Sequence, residues 1–462
     1  MLVAIHCRGG VVPPVMHTQC AIYPVSDITN TKKYINLTTF YLYNEKTIDF
    51  WMLFWYIFIE RGDFMIKRLD YINEISKFID VPVVKILAGV RRSGKSTILD
   101  MIKEKLQERG ISKENIISRR YNEIDFDDMT SKEMYEDLKQ QIEGKGRCYL
   151  FLDELQEIKG WEKVINNLLE SFNVDIYVTG SNSKLMSSEI STYLSGRYVQ
   201  IPVYTLSFKE YLAFKQKENG DVYSAFEEYL QYGGFPIVGI SNFDTKSAYQ
   251  IVEGIYSAVI TRDISKRHKV RNKELFDRVV KYIIENVGKT FSANTIVNFL
   301  KSEKRALSIE SVYNYLKWLS EAFIIYPCQR YDIQGKSILK TQEKYYLSDI
   351  SIKYSKMGFD YKMISSMLEN VVYLELKRRG YEVYIGKNGT KEIDFIATRR
   401  EEKVYVQVCV KIPDESERET LNLMEINDHY HKYVVTMDKM QKGNNNGIEI
   451  MHIADFLLKN AL

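Results

Sequence analysis

The chain has 462 residues, 27% charged and 45% hydrophobic, which excludes a disordered or collagen-like polymer and, at roughly 100–200 residues per domain, predicts two to four domains. A net charge of only +3 does not mark the whole chain as a nucleic-acid binder. The five cysteines, Cys7, Cys20, Cys148, Cys328 and Cys409, lie far apart with no CxxC pair, which excludes a disulfide framework or zinc ribbon and fits a reducing, cytoplasmic setting.

Residues 1–64 carry no clear period. Their densest apolar run, Phe50-Trp-Met-Leu-Phe-Trp-Tyr-Ile-Phe-Ile59, is half the ~20 residues of a membrane-spanning helix, so no membrane span is expected. No basic stretch with a small-residue cleavage site precedes it, so no signal peptide is expected either. His6, Cys7, His17 and Cys20 match no common zinc spacing. Regular patterning starts at Met65. One codon choice for Arg61-Gly62-Asp63, AGA-GGT-GAT, resembles a bacterial ribosome-binding site just upstream of an ATG. The expectation is that residues 1–64 are a non-native or disordered extension and that Met65 is the natural start.

After Pro82, Val83-Val-Lys-Ile-Leu-Ala88 reads as a buried strand. The next residues, Gly89, Val90, Arg91, Arg92, Ser93, Gly94, Lys95 and Ser96, are a full GxxxxGK(S/T) match, and from Thr97 an amphipathic helix follows. Strand, loop and helix stand in the order a phosphate-binding loop requires. Glycines let the backbone wrap a phosphate with its N–H groups inward, and the helix N-terminus adds a favourable field. Residues 89–97 are therefore the expected ATP cradle. Lys95 is expected on the β- and γ-phosphates and Ser96 on Mg²⁺.

Cys148-Tyr-Leu-Phe-Leu-Asp153-Glu154 is an apolar strand ending in two carboxylates. Asp153 is expected to hold Mg²⁺ and Glu154 to orient or deprotonate the attacking water. A third strand, Asn173 to Gly180, ends in Ser181-Asn182-Ser183. Asn182, with Ser181 close behind, is the expected polar contact to the γ-phosphate or water, although both types also serve as helix caps. Arg197, in Leu194-Ser-Gly-Arg-Tyr198, is a candidate arginine finger, in cis or across a homo-oligomer interface, with a structural arginine paired to a carboxylate as the equal alternative.

Residues 65–462 resemble the bacterial and archaeal AAA-type ATPases that carry a C-terminal restriction-endonuclease-like domain of unknown function. The resemblance rests on residues 89–97, Leu150-Phe-Leu-Asp-Glu-Leu-Gln156, Val178-Thr-Gly-Ser-Asn-Ser183 and Leu194-Ser-Gly-Arg-Tyr198. Thr205-Leu-Ser-Phe-Lys-Glu-Tyr211 and Tyr229-Leu-Gln-Tyr-Gly-Gly-Phe-Pro236 are more particular to that family. It implies ATP binding and hydrolysis. The implied architecture is α/β: a P-loop NTPase domain of AAA type over 65–205, a helical lid or connector over 206–260, a winged-helix middle over 261–345, and a restriction-endonuclease-like α/β domain over 346–462.

The middle supports that division. Apolar residues at Ile251, Val252, Ile255 and Val259 share a helix face. Three helical patterns follow, over 276–286, from Ser292 and from Ser308, with the turn 301–306 between the last two. Residues 322–331 and 344–347 read as strands around a Gly335-Lys336 hairpin, the wing. Residues 262–344 hold 17 Lys and Arg against 9 Asp and Glu, a net of +8 that the rest of the chain cancels. DNA is the candidate partner of this segment, with Lys301, Lys304, Arg305, Lys317 and Lys336 on phosphates. A solvated or domain-packing basic surface is the plainer alternative.

In the last segment Glu369 lies on a helix, Asp394 on a strand, and Gln407-Val-Cys409 where restriction-like nucleases carry acid-x-Lys. Gln is a weak neutral ligand and Cys cannot replace the lysine charge. Lys411, two residues on, is displaced by about 6.6 Å along the strand. Glu369, Asp394 and Gln407 therefore support a nuclease-like fold more than cleavage. Three functions follow: an ATPase that repositions a DNA-binding half, an ATP-regulated nuclease, or a nucleotide-switched interaction module without nucleic acid.

Overall fold

A computed structural model describes residues 66–462, apart from 187, 195, 269, 271 and 414–417. The expectations for residues 1–64 and for a start at Met65 lie outside the described residues.

The first sheet has five parallel strands: β1 (Val84–Ala88), β2 (Ile116–Arg120), β3 (Cys148–Asp153), β4 (Val174–Gly180) and β5 (Tyr198–Pro202). Their spatial order is β2-β3-β4-β1-β5. Every residue of β1, β3 and β4 is buried, as expected of central strands covered on both faces. The edge strands β2 and β5 are only partly buried. The register pairs Ala88 with Gly180 and Leu152 with Val178, so the carboxyl ends of β1, β3 and β4 share one edge. In an open parallel sheet that edge is where ligands bind.

A helical section follows. The helix Phe208–Phe214 opens with a reciprocal Ser207/Glu210 capping box. The helix Val222–Tyr232 comes next, and Thr245–Ala258 runs on through a π-helical stretch, Val259–Ser265, to the turn Lys266–His268. Three helices, Lys273–Glu285, Ala293–Ser302 and Ile309–Glu321, are capped by Asn272, Ser292 and Ser308 and form the expected three-helix module.

The hairpin of β6 (Ile325–Asp332) and β7 (Ser337–Leu347) departs from the expectation of a separate wing. Its β6 also pairs in parallel with β8 (Glu382–Asn388), Arg330 opposite Ile385. The hairpin thus joins β9 (Lys391–Arg399), β10 (Glu402–Cys409), β11 (His431–Thr436), β12 (Gly443–Asn445) and β13 (Ile448–His452) in one eight-stranded sheet, ordered β12-β13-β11-β10-β9-β8-β6-β7. The division drawn at 345/346 cuts through this sheet. The physical reason is the free edge of β6, whose N–H and C=O groups find partners on β8. The helix Ile364–Arg378 lies on the sheet, buried from Asn370 to Leu376. Among the described residues no helix is long and apolar enough to cross a membrane.

Candidate nucleotide site

The helix Lys95–Glu108 begins at the carboxyl edge of the first sheet, and its N-cap, Gly94, adopts φ +96° with no side-chain cap. Its first amides are therefore left to a ligand, and left-handed backbone there is open to glycine at little cost. A Cβ at Gly89 would lie 2.0 Å from the Val203 carbonyl oxygen, so only glycine admits that close approach. Ser93 Oγ is buried with no hydrogen-bond partner among the described residues. Lys95 is buried and donates to the carbonyls of Gly89 at 2.9 Å and Val90 at 3.2 Å. Burial pulls its ammonium below the ordinary lysine value, while Glu154 and Asp153 pull it back. A bare helix N-terminus, an unsatisfied buried hydroxyl and a desolvated cation together suit a polyphosphate.

The two carboxylates stand as expected at the end of β3. Asp153 is buried and accepts a hydrogen bond from the Thr179 hydroxyl. That same hydroxyl accepts the Glu154 backbone N–H at 3.1 Å, so one threonine on β4 orders both acids. Glu154 sits at φ +53°, a strained position for a non-glycine residue. Its carboxylate accepts from Ser181 Oγ at 3.2 Å and from Gln156 Nε2. Burial pushes this carboxyl up, but Lys95, Gln156, Arg91 and Ser181 together hold it below the ordinary glutamate value. It is therefore ionised near neutral pH, as a base or water-orienting group requires.

Sequence ranked Asn182 ahead of Ser181. Both are buried, and Ser181 is the one whose hydroxyl meets Glu154. Sequence reading missed Gln156 and Thr179. The signal for Gln156 was its place two residues after the acid pair. Gly180 was its companion signal, because a Cβ there would meet Gln156 Oε1 at 2.2 Å.

Arg197 is placed where it cannot serve this site in cis. Its carbonyl accepts the Val84 N–H at 2.9 Å, at the amino end of β1, opposite the phosphate loop. Its guanidinium donates to Asn166 Oδ1 at 2.7 Å and Glu170 Oε1 at 2.8 Å. The Gly196 turn, φ +75°, aims it toward the helix Trp161–Ser171 instead of the loop.

The two family-specific motifs wrap the loop from outside. Arg68 is buried and donates to the carbonyls of Ser93 at 2.8 Å, Tyr204 at 3.1 Å and Thr205 at 3.4 Å, and pairs with Glu210. A Cβ at Gly94 would sit 3.7 Å from both Arg68 Nη1 and Pro236 Cγ. The Gly234 N–H donates to Asp349 Oδ2 at 2.8 Å, and Arg378 Nη2 donates to the Thr205 carbonyl at 3.1 Å. Through these contacts the loop, the Gly233-Gly234 turn and the second sheet's helix form one hydrogen-bonded set.

The nuclease-like residues do come together, with an unexpected member. Asp394 Oδ2 accepts the Val408 N–H at 2.8 Å, and Gln407 Oε1 accepts the Asp394 N–H at 3.3 Å. Lys344, from β7, lies 3.2 Å from Glu369 Oε2 and 3.0 Å from Glu392 Oε1. Sequence reading missed it because it arrives from the hairpin assigned to another domain. Lys411, by contrast, is exposed past the end of β10. An ammonium ion thus neutralises the acids from within. Among the described residues no three His, Cys, Asp or Glu side chains stand together as metal ligands.

Of the residues expected on DNA, Lys301, Lys304, Lys317 and Lys336 are exposed, Lys304 and Lys336 on left-handed turns. Arg305 is not free for phosphate: its Nη2 lies 2.6 Å from Glu274. Arg278 is likewise taken by Glu303 at 2.8 Å. The exposed face of the third helix carries Ile309, Glu310, Tyr313, Asn314 and Lys317, with a single cation.

A family model described as an AAA domain matches residues 82–212. A domain of unknown function (DUF8612), and not a restriction-endonuclease-like one, matches residues 223–362 and spans the divisions drawn at 260/261 and 345/346. An uncharacterized protein of Haemophilus influenzae is 38% identical over 399 residues, 86% of this chain and 99% of that protein. An uncharacterized protein of Methanocaldococcus jannaschii is 30% identical over 375 residues, 78% of this chain and 82% of that protein. Among solved structures, a Walker-type ATPase of Pyrococcus abyssi is similar over 63% of this chain and 95% of its own, with a TM-score of 0.44 and 16% identity.

Proposed function

This chain belongs to the same family as the uncharacterized Haemophilus influenzae protein, and its residues 82–212 match an AAA domain; we propose that it is a Mg²⁺-dependent ATPase whose nucleotide state repositions its C-terminal half. The observation that carries this reading is Glu154, held ionised by Ser181, Gln156 and Lys95 at the strand edge where the phosphate loop begins. In this reading residues 89–97 cradle the phosphates and Lys95 binds the β- and γ-phosphates. Ser96 and Asp153 hold Mg²⁺, which neutralises phosphate charge when bound. Glu154 orients the attacking water, with Ser181 and Asn182 beside it. The test is ATP turnover with and without duplex DNA. A Lys95→Ala chain that hydrolyses ATP at the parent rate overturns the assignment.

A DNA partner rests on the +8 segment and on exposed Lys301, Lys304, Lys317 and Lys336. The internal pairs of Arg305 and Arg278 favour the reading in which the same surface meets a protein instead. Binding that weakens steeply with salt selects DNA, and binding indifferent to salt removes it. Cleavage is not proposed, because the neutral Gln407 stands where the nuclease motif carries a carboxylate.

A further inference from the structure

Asp263 lies outside the residues matched by the AAA domain, yet it touches the phosphate loop. Its two oxygens accept from Arg91 Nε at 3.1 Å and Nη2 at 3.0 Å. A two-point pair with a side chain only 3% exposed is among the more rigid contacts a protein makes. The next loop residue, Arg92, sits at φ +67°, so its strained backbone depends on the contacts that hold its neighbours.

Asp263 reaches the loop because the helix from Thr245 changes pitch. Over Val259–Ser265 it is π-helical, and that wider turn buries Asp263 and Ile264 while leaving Thr261 and Arg262 exposed. Two further contacts leave the same stretch. Arg267 Nη2 lies 3.9 Å from Glu157 Oε1, in the turn that follows Asp153 and Glu154. His268 stacks on Trp318, ring centroids 4.6 Å apart and planes 12° apart, and its Nε2 lies 3.4 Å from Glu321 Oε2. Trp318 and Glu321 belong to the third helix of the three-helix module. Both loops of the nucleotide site and that helix therefore meet on residues 263–268.

The electrostatics give this stretch a reason to respond. Burial pulls the Arg92 guanidinium below its ordinary value, and Arg91 and then Arg262 pull it further. Glu154 opposes that repulsion and Asp263 pairs with Arg91, so an anion entering the loop competes with these carboxylates for the same cations.

We propose that Asp263 is a positioning residue of the nucleotide site and that residues 259–268 pass the state of that site to the helix Ile309–Glu321. This rests on the reading of residues 89–97 as a nucleotide cradle. Nucleotide alters the pull on Arg91, Asp263 follows, and the His268–Trp318 stack shifts at the other end of the same helix.

The test uses the full chain and tryptophan emission, with a non-hydrolysable ATP analogue plus Mg²⁺ as the probe. The part of the change that Trp318→Phe removes is the Trp318 signal. Calorimetry measures analogue binding separately. In the parent the analogue changes Trp318 emission. In Asp263→Asn it still binds within about tenfold of the parent affinity, but the Trp318 signal is lost, and Asp263→Glu restores it. Asp263→Ser removes the same carboxylate with a smaller side chain and decides the matter if Asp263→Asn does not fold. A parent-like Trp318 response in either folded, analogue-bound variant overturns the proposal. An analogue that fails to bind the parent overturns the nucleotide reading itself, which calorimetry alone reveals.

Discussion

Arg68 and Glu210 form a two-point ion pair, 2.7 Å from Nε to Oε1 and 2.9 Å from Nη2 to Oε2, although 142 residues separate them. The pair joins the start of the described chain to the capping box of the helix Phe208–Phe214. The remaining donors of the same guanidinium reach the carbonyls of Ser93, Tyr204 and Thr205. One buried arginine thus sets the floor of the phosphate loop.

Removing Arg68 strands Glu210 as a buried charge. Arg68→Met is expected to destabilise the chain by about 3–5 kcal/mol, with part recovered in Arg68→Met/Glu210→Gln. Burial pushes the Glu210 carboxyl up, but Arg68 holds it below the ordinary value. Stability from the pair is therefore complete above the ordinary glutamate range, about pH 4.5, and drains away as pH falls through the lower folded value. Urea unfolding at neutral and acid pH measures both effects. An unchanged midpoint for Arg68→Met at neutral pH contradicts the assignment.

Lys95 and Glu154 are expected to fail differently. Lys95→Ala loses nucleotide binding and turnover together. Glu154→Gln keeps binding and loses turnover by about 10²–10⁴-fold, the contribution expected of a positioned base. Single-turnover hydrolysis beside equilibrium binding separates the two. Loss of binding in Glu154→Gln speaks against its role on water.

Gly180 tests the support behind Glu154. An added Cβ would meet Leu185 Cδ1 at 1.9 Å and Gln156 Oε1 at 2.2 Å, so Gly180→Ala must push Gln156 off Glu154. The expected result is a lower kcat with KM little changed, because the cradle on β1 is untouched. A rise in KM alone places the effect on the loop instead.

Lys344 tests the acidic cluster. Burial raises the Glu369 carboxyl above its ordinary value even though Lys344 opposes that shift. Lys344→Met raises it further. The unfolded chain releases this proton near pH 4.5, whereas the folded variant retains it to higher pH. Stability of the variant therefore falls as pH rises above about 4.5, and goes on falling to a higher pH than in the parent. Thermal melts from about pH 4.5 to 8 provide the check, and a decline that levels off at the same pH in both chains refutes it.

Local chemistry in the chain was enough to find the cradle. Strand, loop and helix around Gly94 and Lys95 are contiguous, and the acid pair announces itself at the end of an unbroken apolar strand. Burial of β1 and β3 was likewise readable from their apolar runs, but that of β4 was not, because Asp175 interrupts it and is buried by pairing with Lys85 of β1. Two of the capping residues of the middle helices, Ser292 and Ser308, were readable because a cap acts within three residues of itself, whereas Asn272 was not read.

Strand order and register decided the rest. They set Thr179 against Asp153, sent Arg197 to the far end of β1, joined β6 to β8 and delivered Lys344 among Glu369 and Glu392. The partners of Arg68 and Arg91 came from residues more than 100 positions away, Glu210 and Asp263. Such pairs have no spacing rule in sequence. A charge finds its buried partner only after the backbone has brought both out of water, and the choice among many candidate partners is made by packing geometry, not by composition.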